Sequence, residues 1–298
     1  NLAENVEVRM YTWAMFFVTA SGLYAFEAYL EPERKKNWLV LTLSALAAAY
    51  THYFALLSVA IVYVILFLAL MVKRKKIVNY LISGIVCCIG YLPWLPFLWK
   101  QIHLVKEGFW IPEVTLDKLL EYVTWMFQGE YQYVWLFILV LAFLLLLDRL
   151  VHNTNATEKV KEVTICMLAY FMVFIGLILV GCILSVLIRP ILVERYLFVC
   201  IGLLYIFLTY SLTYLIDNRK VKIGILAIII LTGLFAYNAK FINEYKNGTE
   251  ESKKVFAENI SDTDLIATND ALLGVQNGSP LRYYLPENKL VTIENEEQ

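Results

Sequence analysis

The sequence predicts an all-α polytopic membrane protein with about eight transmembrane helices and a small C-terminal α/β tail. Hydrophobic residues make up 60% of the 298 and charged residues 17%, whereas soluble domains are nearer about half apolar and about a quarter charged. The apolar residues form long runs, and Lys and Arg cluster in the polar stretches between them. This pattern excludes a chain that is soluble throughout and is typical of one that crosses a bilayer several times.

The longest uncharged run covers residues 38–72, which contain no Asp, Glu, Lys or Arg. Basic clusters at 34–36 and 73–76 bound it. As one straight helix it would measure roughly 50 Å, against a hydrocarbon core of about 30 Å. A single crossing would also leave the two basic clusters on opposite sides of the membrane. We therefore predict a helical hairpin whose turn is formed by Thr51, His52 and Tyr53.

The other apolar runs supply the remaining spans, which we predict at 10–30, 77–99, 134–147, 163–188, 196–216 and 223 to about 237. Pro93 and Pro96 are expected to break or kink the helix that begins at 77 as it leaves the membrane. The amphipathic loop 100–133 should contain a helix over 115–127 with Thr115 as its N-cap.

Two domains follow from this division, a transmembrane domain over 1–238 and a small soluble domain over 239–298. The soluble domain should contain a helix over 249–260 and short strands at 264–268, 281–285 and 290–293. Because the chain opens at Asn1 on a polar segment, we also expect that its N-terminal part is missing.

The distribution of basic residues predicts which loops share a side of the membrane. Loops 31–37, 73–76, 148–162 and 217–222 contain 13 Lys and Arg in total, and the opposing short loops contain 6. Since cytoplasmic loops are enriched in Lys and Arg, the first four are expected in the cytoplasm. The N-terminal segment, the His52 turn, loop 100–133, residues 189–195 and the C-terminal tail then share the non-cytoplasmic side.

Three polar groups on that side are candidates for chemistry, because Arg, His and Tyr can bind a phosphate or carboxylate. Each also has a structural interpretation: an interfacial ion pair, a capped turn with aromatic anchors, and charges that mark helix ends. The candidate residues are Glu7, Arg9 and Tyr11 at the start of the first span, His52 and Tyr53 at the hairpin turn, and Arg189, Glu194, Arg195 and Tyr196 before the seventh span.

Other kinds of site find no support in the sequence. The five cysteines all lie within apolar runs without the spacing of metal ligands, so we interpret them as small core residues. The sequence contains no Gly-rich phosphate loop and no basic stripe for nucleic acid. We expect no nucleic-acid partner and no metal site, although a requirement for a divalent cation stays open.

The polar groups, taken in order, resemble motifs of the GT-C superfamily of membrane glycosyltransferases. The resemblance is to the bacterial branch similar to dolichyl-phosphate-mannose protein mannosyltransferases (glycosyltransferase family 39-like), in which a Glu-x-Arg-x-Tyr segment opens a span. The matching positions are Glu7, Arg9 and Tyr11; residues 50–57 as the Tyr-Thr-His-Tyr hairpin; Trp110, Ile111 and Pro112 in a loop; and Arg189, Pro190, Arg195 and Tyr196 before a late span.

This resemblance implies an inverting transfer of a sugar from a polyprenyl-phosphate donor to an acceptor on the extracytoplasmic face of a bacterial plasma membrane. The implied partners are membrane lipid, the lipid-linked donor, and a glycan, lipid or protein acceptor. Arg9, His52 and Arg195, with Arg189 behind them, would stabilise the leaving phosphate. The family's carboxylate base lies after an earlier span, upstream of Asn1, so that Glu7 assists at most.

Two other functions stay open at this stage. The arginines could form the binding site of a non-enzymatic protein, such as a flippase for lipid-linked sugars or a solute transporter. Transporters usually carry polar residues or broken helices in mid-membrane, whereas polar residues here gather at one end of the spans. A degenerate family member acting as a partner subunit is the third interpretation.

Overall fold

The structure, a computed structural model, describes residues 10–107, 114–127, 132–152, 157–188, 190–215, 265–268 and 289–292, with a few isolated positions between 219 and 234. The chain divides into two compact units, Asn1–Lys222 and Ile223–Gln298. The described part of the first unit is helical. Its α-helices are α1 (Tyr11–Leu30), α2 (Lys35–Thr51), α3 (Tyr53–Val72), α4 (Val78–Tyr91), α5 (Leu95–Glu107), α6 (Leu116–Phe127), α7 (Gln132–His152), α8 (Glu158–Leu187) and α9 (Ile201–Leu215), with 3₁₀ helices at Leu92–Trp94 and Glu194–Cys200.

Four stretches of the described residues are long and apolar enough to cross a membrane: Tyr53–Val72, Val78–His103, Glu158–Leu187 and Glu194–Ser211. The protein is therefore a helical, multi-pass membrane protein. Most of the predicted span at 223–237 falls outside the described residues.

The break predicted within the run 38–72 falls at one residue, His52. Helix α2 ends at Thr51 and α3 begins at Tyr53, and His52 between them has an extended backbone with φ −159° and ψ 141°. The two helices pack against each other. The N-cap predicted at Thr115 is confirmed, because its hydroxyl oxygen accepts a hydrogen bond from the Lys118 N–H at 3.3 Å.

The two prolines after α4 do not end the helical path. Residues Leu92–Trp94 tighten into a 3₁₀ turn, and α5 continues from Leu95 to Glu107. Proline fits this position because it lies within the first turn of each helical segment, where its missing N–H has no partner to lose. Of the break or kink predicted at Pro93 and Pro96, the break does not occur, and the prolines mark a change of helix type.

Helix α1 contacts α2, α3, α9 and the 3₁₀ helix Glu194–Cys200. Its buried face contains small residues, among them Ala14, Gly22 and Ala28, which allow neighbouring helices to approach closely. A Cβ atom at Gly202 would lie 2.1 Å from Thr19 Oγ1. Close contact between α1 and the segment around 202 therefore depends on the absence of a side chain there.

The opposite end of α3 closes in a Schellman motif. The Lys75 N–H bonds the Leu70 carbonyl at 2.9 Å, and the Arg74 N–H bonds the Met71 carbonyl at 3.1 Å. This geometry requires a left-handed residue at the position usually taken by glycine, and Arg74 adopts it with φ 51°. The Lys75 ammonium group then donates to the Tyr29 carbonyl at 2.6 Å, which ties this end of α3 to α1.

In the second unit the described residues form two strands, β1 (Leu265–Thr268) and β2 (Lys289–Thr292), paired in parallel. Their positions coincide within one residue with the strands expected at 264–268 and 290–293. The helix expected at 249–260 and the strand expected at 281–285 lie outside the described residues.

Candidate functional site

His52 is held between two helices by its own backbone and ring. Its N–H bonds the Ala48 carbonyl at 3.2 Å, and its carbonyl accepts from the Leu56 N–H at 3.0 Å. The ring nitrogen Nδ1 accepts a hydrogen bond from the Phe54 N–H at 3.1 Å, so His52 acts as the N-cap of α3. Because Nδ1 is an acceptor, the proton of the neutral ring lies on Nε2.

Aromatic side chains from three elements surround the His52 ring. The centroid of the Tyr196 ring lies 5.0 Å from it, and that of Tyr11 lies 5.3 Å from it. Phe54 contacts both His52 and Tyr196, with centroid distances of 6.1 Å and 4.9 Å. Tyr11 begins α1 and Tyr196 belongs to the 3₁₀ helix Glu194–Cys200. We call Tyr11, His52, Phe54 and Tyr196 the aromatic cluster.

Burial and a neighbouring cation keep His52 neutral. Burial in the aromatic cluster and the positive charge of Arg195 lower the pKa of His52 from 6.5 to about 4, since both disfavour a second positive charge. At neutral pH the ring therefore offers an Nε2–H donor beside the guanidinium group of Arg195. Together they could bind an anionic oxygen by one neutral and one charged hydrogen bond.

Arg195 is positioned by the segment that follows α8. The Ile191 N–H donates to Ser185 Oγ at 3.2 Å, and the Tyr122 hydroxyl donates to the Leu192 carbonyl at 2.9 Å. The Leu192 side chain is fully buried. This segment thereby fixes the start of the 3₁₀ helix, on which Arg195 is partly buried and its Nε atom is inaccessible to solvent.

A cavity of about 610 Å³ lies beside the same segment. Its walls are the first turns of α6, the last turns of α8 and Pro190; they include Thr115, Leu119 and Ser185. Ser185 thus both lines the cavity and anchors the segment that carries Arg195. The volume is within the range of about 300–1,000 Å³ that is usual for small-molecule sites.

The structure brings together four of the residues predicted for the site, namely Tyr11, His52, Arg195 and Tyr196. Tyr53 has different neighbours: its hydroxyl donates to Gln101 Oε1 and accepts from Trp94 Nε1 at 3.2 Å. The predicted Glu7, Arg9 and Arg189 lie outside the described residues.

Sequence reasoning missed two residues that shape this region, Phe54 and Tyr122. Phe54 belongs to the uncharged run and to the hairpin motif 50–57, but neither pattern predicts its contact with the His52 ring. The capping role of His52 has a signal, because a polar residue directly before a helix is typical of an N-cap. Tyr122 lies on the predicted helix 115–127, but no local pattern indicates its bond to Leu192.

The described residues contain no group of three or more His, Cys, Asp or Glu side chains close enough to bind a metal ion. Comparison with protein-family models, with curated proteins and with solved structures gave no match. The resemblance to the GT-C superfamily therefore depends on the motifs and their order alone.

Proposed function

We propose that this chain belongs to a GT-C-type membrane glycosyltransferase, which transfers a sugar from a polyprenyl-phosphate donor to an acceptor on the extracytoplasmic face, with inversion at the anomeric carbon. The observation that carries the proposal is the juxtaposition of neutral His52 with Arg195 within an aromatic cluster at one end of the bundle. His52 and Arg195 come from distant parts of the sequence, and the contact between the rings of His52 and Tyr196, whose centroids lie 5.0 Å apart, brings them to the same end of the bundle.

The chemistry of the reaction matches these groups. The leaving group is a lipid phosphate, on which negative charge grows as the bond to the sugar breaks. Fixed donors aimed at such a charge stabilise the transition state more than the ground state. Arg195 would supply a cation, with Arg9 and Arg189 as further candidates, and His52 would donate through Nε2–H. The rings of Tyr11 and Tyr196 would hold the imidazole in place, and the cavity beside Ser185 would give room for a substrate.

The acceptor hydroxyl needs a carboxylate base, which the described residues do not place beside His52. In the proposed enzyme this base lies upstream of Asn1, and Glu7 assists at most. The donor is a substrate and no other cofactor is assigned, with the role of a divalent cation open.

The proposal includes a topology of about eight spans. The basic loops would face the cytoplasm of a bacterial cell, and the His52 turn, Arg195 and the C-terminal tail would face the other side. This sidedness suits a lipid-linked donor, because its phosphate lies at the membrane surface. The acceptor is a glycan, lipid or protein on that side.

The test uses the full-length protein in proteoliposomes with a polyprenyl-phosphate hexose as donor, and measures release of polyprenyl phosphate. Arg195→Ala and Arg9→Ala should each lower turnover at least about tenfold, as expected for a charge contact made in the transition state. Lys36→Ala is the matched control, because Lys36 is an exposed cation in the basic cluster 34–36. Turnover at the wild-type rate in both arginine variants would refute the anion site.

A flippase is distinguished in the same vesicles. A transferase cleaves the donor, whereas a flippase moves an intact fluorescent lipid-linked sugar from one leaflet to the other. Movement of the intact donor that is abolished by Arg195→Ala, with no cleavage under any condition, would replace the transferase proposal.

A further inference from the structure

A second cavity, of about 490 Å³, lies away from the aromatic cluster, between α2, α3, α4 and the start of α5. None of the described residues that line it is charged, and its walls are almost wholly apolar; they include Leu46, Val59, Gly84 and Leu95. The cavity is of the size of small-molecule sites. An uncharged wall excludes a phosphate or a sugar as the part of a ligand bound here.

The cavity opens towards the lipid. Helix α4 buries only Ser83 and Tyr91 of its residues, so most of its surface faces outward. Cys88 and Leu92 line the cavity and are also exposed. A Cβ atom built at Gly84 meets no atom within 4 Å, which shows that the wall is open at this point.

The length of the cavity corresponds to one leaflet. On α3 its lining reaches Tyr63, which lies about 16 Å from His52 along the helix at 1.5 Å per residue. Half of a hydrocarbon core measures about 15 Å. One end lies near the His52 turn, because the Tyr50 hydroxyl donates to the Gly90 carbonyl at 2.6 Å.

The hydroxyl groups at the two ends of the cavity differ in their hydrogen bonds. At the deeper end, the Tyr63 hydroxyl is bonded to Ser83 Oγ at 2.6 Å, and the Tyr80 hydroxyl donates to the Tyr63 carbonyl at 3.3 Å. At the end near His52, the Tyr91 hydroxyl is buried and has no hydrogen-bond partner among the described residues. Buried hydroxyl groups are normally hydrogen-bonded. A ligand in the cavity should therefore supply an acceptor for the Tyr91 hydroxyl.

We infer that this cavity holds one acyl chain of a bilayer glycerolipid from the leaflet on the His52 side, with the ester carbonyl accepting a hydrogen bond from Tyr91. The chain fills the apolar part between α2, α3 and α4, and the charged headgroup stays outside at the membrane surface. A neutral carbonyl suits Tyr91 because no cation lines the cavity to accompany a phosphate. This site is separate from the proposed transferase site and does not depend on its activity.

The experiment measures glycerolipid that stays bound to the purified protein. The protein is reconstituted in a phosphatidylethanolamine and phosphatidylglycerol bilayer, extracted in mild detergent, washed free of loose lipid, and analysed by native mass spectrometry. The wild type should retain one glycerolipid. Gly84→Trp, which fills the cavity, should lower retention at least about tenfold, the equivalent of 1.4 kcal/mol in binding free energy.

Two further variants complete the test. Ile85→Trp is the matched control, because Ile85 neighbours Gly84 but is 57% exposed and does not line the cavity; it should retain lipid as the wild type does. Tyr91→Phe should lower retention about threefold to tenfold through the lost hydrogen bond. Gly84→Leu serves if the Trp variant does not fold.

Four outcomes would overturn the proposed lipid site or a part of it. Wild-type retention in the folded Gly84 variants would overturn the site, and wild-type retention in Tyr91→Phe would overturn the carbonyl contact. Retention of a polyprenyl phosphate in place of a glycerolipid, when both are supplied, would overturn the assignment of the occupant. Equal losses in Ile85→Trp and Gly84→Trp would show loss of surface lipid and would also overturn it.

Discussion

The backbone N–H of Phe54 donates to Nδ1 of His52 at 3.1 Å, and this hydrogen bond gives the His52 ring two separate tasks. Nδ1 caps helix α3, while Nε2 carries the proton and is the atom left to act on a ligand. The structural and chemical roles of one residue thus belong to different atoms, and substitutions can separate them.

His52→Asn should keep the cap and lose the donor. Asn is among the preferred N-cap residues and its side-chain oxygen can accept from the Phe54 N–H, but it does not reach as far as Nε2. We expect unfolding free energy close to wild type for His52→Asn, and a loss of about 1 kcal/mol for His52→Ala. Donor turnover should fall in both variants. Unfolding in detergent and turnover in proteoliposomes measure the two effects, and full activity in His52→Asn would contradict the donor role.

Stability should depend on pH through His52. Its pKa is lowered from 6.5 to about 4 in the folded protein, so the unfolded chain binds the proton more readily. The folded state is therefore most favoured above pH 6.5, and this contribution is lost as the pH falls towards 4. The shift corresponds to roughly 3 kcal/mol at about 1.4 kcal/mol per pH unit.

Unfolding at pH 7 and at pH 4.5 measures the effect of His52 protonation. His52→Asn serves as the control, because it cannot take up a proton in this range. The decrease in stability should be smaller in that variant than in the wild type. An identical decrease in both would assign the pH dependence to other groups.

Arg74→Gly should stabilise the end of α3. Arg74 adopts a left-handed conformation with φ 51°, which places Cβ close to the following carbonyl oxygen and disfavours every residue except glycine, by about 1 kcal/mol or more. Arg74→Ala is the matched control, since it removes the same side chain and keeps Cβ. We expect the midpoint of thermal unfolding to rise in Arg74→Gly and not in Arg74→Ala. An equal rise in both variants would assign the effect to the loss of the Arg74 charge.

The close contact between α1 and the segment at 202 predicts opposite effects for two glycines. Gly202→Ala places Cβ 2.1 Å from Thr19 Oγ1 and should cost about 1–3 kcal/mol of stability through overpacking. Gly84→Ala meets open space and should be neutral or gain up to about 1 kcal/mol from the lower backbone entropy of alanine. The double variant Gly202→Ala, Thr19→Ala should recover part of the loss. If the losses of stability in Gly202→Ala and Thr19→Ala simply add in the double variant, the clash does not involve the Thr19 side chain.

The two ends of α2 should lie on opposite sides of the membrane. In a variant without the five native cysteines, Thr51→Cys should react with a membrane-impermeant thiol reagent added outside intact cells, and Lys36→Cys only after permeabilisation. These positions lie at the two ends of a helix of 17 residues, which is about 25 Å long. Reaction of both from the same side would refute the proposed topology.

Local features of this fold follow from the sequence because neighbouring residues determine them. The helix breaks at His52, a polar residue within the uncharged run 38–72. Thr115 lies directly before an amphipathic stretch, which is the usual position of an N-cap. At Pro93 the sequence left both a break and a kink open, since a 3₁₀ turn and a break have the same sequence pattern. Arg74 in a left-handed conformation has no sequence signal at all, because the usual residue there is glycine.

The sequence predicts one anion site from Arg9, His52 and Arg195, but it does not predict the contacts within that site. Charge distribution assigned His52 and Arg195 to one side of the membrane, but their proximity depends on how closely α1 packs. That packing depends on Gly22 and Gly202, whose neighbours are far away in the sequence. The contacts of Tyr196 with Tyr11 and His52 arise from this packing.

The pairing of Tyr11 with Tyr196 has a consequence for biosynthesis. Roughly 185 residues separate these two rings, and a ribosome adds about 5–20 residues per second. The helix that begins at Tyr11 therefore waits about 10–40 s in the membrane before the segment that covers it emerges. During that interval its buried face, with Ala14, Val18 and Ser21, must be sheltered by α2 and α3 or by the insertion machinery. Slowed synthesis between α3 and α9 should thus increase degradation of the nascent protein more than the same delay placed after residue 215.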